Sequence, residues 1–124
     1  MPFAATAAAA EIWVITDSRH PVHVAPGIRL IELDAAARIK AELSSHLPAN
    51  PAQASRVAQQ RLRRGGAELQ ERARVAHQGV IDAWSLGISK LPAIVVDRRY
   101  VVYGETDVGR AVARIEKYRR RSEP

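Results

Sequence analysis

A chain of 124 residues, 47% of them apolar, fits one domain with one core and leaves little room for a second. Its 19 Lys and Arg against 13 Asp and Glu give a net charge of +6, which suits nucleic acid, anionic lipid or an acidic protein without choosing among them. The absence of cysteine excludes disulfide staples, Cys-ligated zinc and thiol nucleophiles.

Aromatic residues make up only 5% of the chain, so the core is expected to be built from Ala, Val, Ile and Leu. All the cations except Lys40, Lys90 and Lys117 are arginines. Residues 1–10 are Ala-rich, and their small side chains resemble the Ala-x-Ala cleavage region of a secretory signal. The basic and long apolar parts of such a signal are missing, so the segment reads as a signal-peptide remnant or as a plain tail. The domain proper is expected over 11–118, with 119–124 as a basic C-terminal tail. No stretch has the length of a membrane-spanning helix.

Glu11-Ile12-Trp13-Val14-Ile15-Thr16 is a compact apolar run rich in β-branched residues and predicts a buried strand. It runs into the loop Asp17-Ser18-Arg19-His20-Pro21. After the turn signal Pro26-Gly27, the alternation over Ile28–Leu33 predicts a second strand. Asp34 is placed to cap a helix from Ala35, with Ala36, Ile39, Leu43 and Leu47 inward and Pro48 as its stop.

Asn50-Pro51 predicts a new helix start, because Pro at the first helical position needs no amide donor. Ala54, Val57, Ala58 and Leu62 form its expected buried stripe, and Gly65-Gly66 is expected to break or bend it. A further helix has Leu69, Ala73, Ala76, Val80 and Trp84 on one face, a Glu68–Arg72 pair on the other, and Gly87 as C-cap. Residues 92–103 predict a β-hairpin turning at Arg98-Arg99. Thr106 or Asp107 caps a last helix with Val108, Val112 and Ile115 inward. Lys117, Arg119, Arg120 and Arg121 complement the dipole at its C-terminal end.

Three stretches carry the resemblance that follows. One is Ala83-Trp84-Ser85-Leu86-Gly87-Ile88-Ser89-Lys90-Leu91-Pro92-Ala93-Ile94-Val95, in which a helix leads through a proline loop into a strand. Another is Val14-Ile15-Thr16-Asp17-Ser18-Arg19-His20-Pro21-Val22, with Asp97–Val108 as a third block. Together they resemble integrating conjugative element proteins of bacteria, thioredoxin-like relatives of the F-type conjugative pilin-assembly family. The resemblance implies an atypical thioredoxin-like α/β fold with a mixed sheet of about four strands, and a cis proline at Pro92 facing the Asp17–Pro21 loop. It also implies a periplasmic, non-catalytic accessory role in a conjugative type IV secretion system. The partners would be other components of that apparatus, bound at Asp17, Ser18, Arg19, His20, Pro21, Leu91 and Pro92. No cofactor or metal is implied, and no oligomeric state.

Two departures qualify the pattern. The Cys-x-x-Cys of redox members is replaced by Asp17–Pro21. The interval 17–27 between the first two strands is short and holds Pro21 and Pro26, so the helix usual there is expected to be shortened or lost.

The residues also raise other chemistries. Asp17, Ser18 and His20 suggest a hydrolytic triad, but a triad needs a nucleophile–base bond and a separate orienting carboxylate, which one short loop does not supply. Asp17-Ser18 is expected to turn the chain instead. His20, His23, His46 and His77 lack a convincing further metal ligand, and His77 is expected to pack beside the apolar helix face. Gly65-Gly66 lacks the Lys-Ser or Lys-Thr of a phosphate loop. Arg61, Arg63, Arg64, Arg72, Arg74, Arg98, Arg99 and Arg119–Arg121 are spread over several elements, which makes nucleic-acid binding the weaker expectation. Trp13, Trp84, Tyr100 and Tyr103 are expected to be structural. A nucleic-acid-binding accessory of the mobile element and an enzyme with non-thiol chemistry in the Asp17–Pro21 loop stand as the alternatives.

Overall fold

The computed structural model describes residues 10–122. Of the Ala-rich segment only Ala10 is among them, and the last two residues of the chain also lie outside. The elements are β1 (Ile12–Thr16), β2 (Arg29–Glu32), α1 (Ala35–Ser44), α2 (Pro51–Ser85), β3 (Ala93–Val96), β4 (Tyr100–Tyr103) and α3 (Val108–Ser122). They form an α/β fold around a mixed four-stranded sheet in the order β2-β1-β3-β4. β2 is parallel to β1, whereas β3 is antiparallel to both β1 and β4.

The two central strands are the two most continuous apolar runs of the sequence, as burial on both faces requires. Alternation sends Trp13, Ile15, Ala93 and Val95, with Ile31, to the face covered by Ala83 of α2. Val14 and Ile94 point the other way, to Ala111 of α3. Ile15 and Ile94 have no solvent exposure, and burial of each contributes about 1.5–3 kcal/mol.

A parallel pair needs a crossover of roughly a dozen residues, usually helical. Here residues 17–28 make the crossing without a helix, as the prolines predict. Val22 is buried in the α3-side cluster and Val24 and Ile28 pack against it, so an extended segment covers what a helix would otherwise cover.

The expected break at Gly65-Gly66 is a kink, and α2 comprises the two expected helices, joined across it. Gly66 has φ 54° and ψ −143°, a combination open essentially to glycine alone. Asn50 caps α2 by accepting from the Gln53 amide at 3.1 Å. Gly87, at φ 68°, ends it: the Gly87 amide donates to the Trp84 carbonyl at 3.0 Å and the Ile88 amide to that of Ala83 at 3.3 Å.

The buried face of α2 differs from the expected one. It consists of Leu69, Ala76, Gly79 and Ala83; Ala73 is exposed and Trp84 is 80% exposed. The cause is a close approach: a Cβ on Gly79 would lie 2.9 Å from Ile31 Cγ2, so the helix meets β2 through its smallest residue. That contact rotates the buried stripe onto Ala83 and turns Trp84 outward. Leu62 is also exposed, while Ala54, Val57 and Ala58 are half-buried. His77 is exposed rather than packed.

Two arginines of α2 hold α1. Arg61 donates to the carbonyls of Leu43 at 3.2 Å and Ser45 at 2.6 Å, capping the C-terminal end of α1. Arg72 pairs with Glu42 at 3.1 Å rather than with Glu68. In α1 itself Ile39 is buried and Ala36 exposed.

In the β3–β4 hairpin Asp97 and Arg98 adopt φ 54° and 53°, and the Arg99 amide donates to the Val96 carbonyl at 3.1 Å. Asp107, not Thr106, caps α3 by accepting from the Arg110 amide at 3.0 Å. α3 continues to Ser122, so the boundary drawn at 118 falls inside it.

Candidate functional site

The Asp17–Pro21 loop leaves the end of β1 and is held by short-range hydrogen bonds. The buried Thr16 hydroxyl donates to the His20 carbonyl at 2.5 Å, and the His20 amide donates to the Asp17 carbonyl at 3.1 Å. Asp17 Oδ1 accepts from the Arg19 amide at 3.0 Å, an Asx turn, and lies 2.7 Å from His20 Nδ1. The hydrogen bond from His20 is the main reason the Asp17 carboxyl sits below the usual carboxylate range.

Ser18 reaches across to the next crossover. Its amide donates to both Asp34 carboxylate oxygens at 3.2 Å, and its hydroxyl donates to Oδ2 of the same group. These bonds pull the Asp34 carboxyl below its ordinary range. Asp34 makes no side-chain bond to the α1 amides, which corrects the expected N-cap: its carboxylate tethers the loop.

The proline loop comes to the same end of the sheet. Ile15 is in register with Ala93, so Pro92 arrives level with Thr16, where β1 stops. The Leu91–Pro92 peptide bond is cis. Pro92 is buried, and its carbonyl accepts from the Gly104 amide at 2.8 Å. Leu91 is half-buried against the Trp13–Val95 cluster. Its own backbone N–H and C=O have no hydrogen-bond partner among the described residues. Ser18, Arg19, His20 and Pro21 are exposed beside it, and Asp17 is half-buried.

The family model described as a protein of unknown function, DUF1525, matches residues 9–121, which covers every strand and nearly all of the last helix. The chain belongs to the DUF1525 family. No curated protein and no solved structure matches it.

In this DUF1525 domain the three residues that suggest a triad are brought close but wired differently. The Ser18 hydroxyl is bound to Asp34 and the His20 imidazole to Asp17, so the Ser18–His20 bond a nucleophile requires is not formed. Among the described residues no three His, Asp or Glu side chains gather into a metal-binding group. No helix of the described residues is long and apolar enough to cross a membrane. The arrangement presents an ordered polar loop beside a bend at Leu91 whose backbone hydrogen-bonding groups are unused among the described residues, which suits recognition of another chain.

Several arginines of the DUF1525 chain are occupied within the fold. Arg74 pairs with Glu71 at 2.5 Å, Arg98 with Glu11 at 2.9 Å and Arg119 with Asp97 at 3.5 Å. Arg29 and Arg98 both lie over the buried Trp13 ring, 4.5 and 5.0 Å from its centroid.

Sequence reasoning misses two surface recesses. One, of about 360 Å³, runs along β2 beneath Arg38, Arg72 and Val75. The other, of about 430 Å³, lies between β4 and α3. Neither includes the two candidate loops. The signal available for the second was the strand Tyr100-Val101-Val102-Tyr103, apolar throughout and closely followed by an arginine-rich helix.

Proposed function

We propose that this DUF1525 protein is a non-catalytic accessory component of a conjugative type IV secretion system of an integrating conjugative element, acting in the bacterial periplasm during pilus or channel assembly. It binds an extended segment of another component at the loop pair Asp17–Pro21 and Leu91–Pro92. The observation that carries this reading is the backbone of Leu91, unpaired among the described residues, beside the exposed Ser18–Pro21 loop, at the end of the sheet where β1 meets the proline loop. An extended chain can pair with such a backbone through its own N–H and C=O groups, with neighbouring side chains setting specificity.

The sheet order, the direction of β3 and the closing helix support a thioredoxin-like architecture. In redox members of that fold two cysteines occupy the first loop. Here Asp17 and Ser18 are engaged in hydrogen bonds that hold the loop's shape, which supports binding without turnover.

The test is the conjugative transfer frequency of a donor lacking the gene, complemented by an exported copy, by a non-exported copy, or by an exported copy carrying Arg19→Glu and His20→Ala. A large loss restored by the exported wild type, and poorly by the other two, is the expected result. Unchanged transfer in the deletion strain would remove the conjugative reading.

A further inference from the structure

We propose that the open edge of β4, walled by Arg114 and Tyr118 of α3, is a second protein-binding site that takes an extended acidic segment of a partner as a fifth strand.

Among the described residues the sheet ends at β4, which pairs with β3 on one side only. The Gly104 amide points inward to Pro92, so by alternation Val101 and Tyr103 direct their N–H and C=O groups to the open side. The recess there is lined by four consecutive residues, Arg99 to Val102. Side chains from both faces of one strand border a common space only where that space runs along the strand's edge. From α3 it receives Arg114, Ile115 and Tyr118, one stripe of a helix. A segment four residues long, roughly 13 Å when extended, would match β4 from end to end.

Exposed apolar edges are normally blunted by charge, proline or a bulge within the strand. Tyr100-Val101-Val102-Tyr103 carries none of these. The charge stands beside the edge instead. Arg99 and Arg114 have no acidic partner among the described residues, in contrast to the β2 recess, where Arg38 pairs with Glu32 and Arg72 with Glu42. The β4 groove therefore has positive charge left over, and an acidic strand would meet it.

Nucleic acid fits less well. A single strand is held by bases stacking on free aromatic faces. Tyr100 already has Arg119 and Arg99 over it, 5.1 and 5.6 Å from its centroid, and the edge-on Tyr118 ring at 6.3 Å.

The test uses the full chain, isotope-labelled for NMR, titrated with a short peptide alternating Glu and Val. A Lys–Val peptide and oligothymidylate serve as competing probes. The Glu–Val peptide is expected to shift the Val101 and Tyr103 amides and slow their exchange with solvent. Arg114→Glu is expected to weaken that binding about tenfold or more. Arg63→Glu, the same charge change on the exposed surface of α2, should leave it within about twofold. Three results would overturn the proposal: no shift at millimolar peptide, equal weakening by both variants, or oligothymidylate binding through Arg114 in place of the peptide. Circular dichroism of each variant establishes that it is folded before the titration is read.

Discussion

Ser18 and Asp34 are joined by three hydrogen bonds, two from the Ser18 amide and one from its hydroxyl, across the crossover from β1 to β2. The link takes the place of a helix N-cap and gives the candidate binding loop a fixed anchor. Both acidic residues of this region, Asp17 and Asp34, have folded-state pKa values below the ordinary Asp value of about 3.9. A depressed carboxylate stabilises the fold above its unfolded pKa, and that contribution is lost as pH falls through the folded value. Stability is therefore expected to decline as the pH drops below about 4. The decline should be shallower in Asp17→Asn/Asp34→Asn than in the wild type. Urea midpoints measured across acidic pH would show this, and identical slopes would reject it.

Gly79 is the contact point between α2 and β2. Alanine normally favours a helix over glycine by about 1 kcal/mol. Here the added methyl would press on the stiff, buried Ile31 side chain, so Gly79→Ala is expected to destabilise by about 1–3 kcal/mol. In an Ile31→Ala background the penalty should largely vanish. A double-mutant cycle by denaturant unfolding measures that coupling.

The two tryptophans occupy opposite environments. Trp13 is buried with two arginines over its ring, whereas Trp84 is open to solvent. Acrylamide is expected to quench Trp84 and spare Trp13. Trp84→Phe should remove the quenchable emission and change stability by no more than about 0.5 kcal/mol. A cost of several kcal/mol would show that Trp84 is part of the core after all.

Arg61 satisfies carbonyls at the end of α1 that no residue of α1 itself can reach. Arg61→Ala is expected to cost about 1 kcal/mol, a value set by the solvent exposure of the site, and to speed amide exchange in the last turn of α1. Amide exchange left unchanged in that turn would contradict the capping role.

Much of this fold is legible in one dimension. Ile12–Thr16 and Ala93–Val96 announce themselves as central strands because burial on both faces demands unbroken apolar runs. Pro21 and Pro26 forbid a helix between the first two strands, and Gly66 marks the kink of α2 because only glycine tolerates its backbone angles. The alternating Val22 and Val24 were equally readable as an extended apolar segment, a signal overshadowed by the flanking prolines.

The sequence by itself thus determined the elements, their order and their breaks, since these depend on residues a few positions apart. The tertiary structure alone decided which face of α2 is buried, because Gly79 has to find Ile31 before the helix can choose between Ala83 and Trp84. It also decided that Asp34 serves Ser18 rather than its own helix, and that Arg61 and Arg72 serve α1. In each case the partner is distant along the chain, and a polar side chain with several hydrogen-bonding choices takes the one that packing brings within reach.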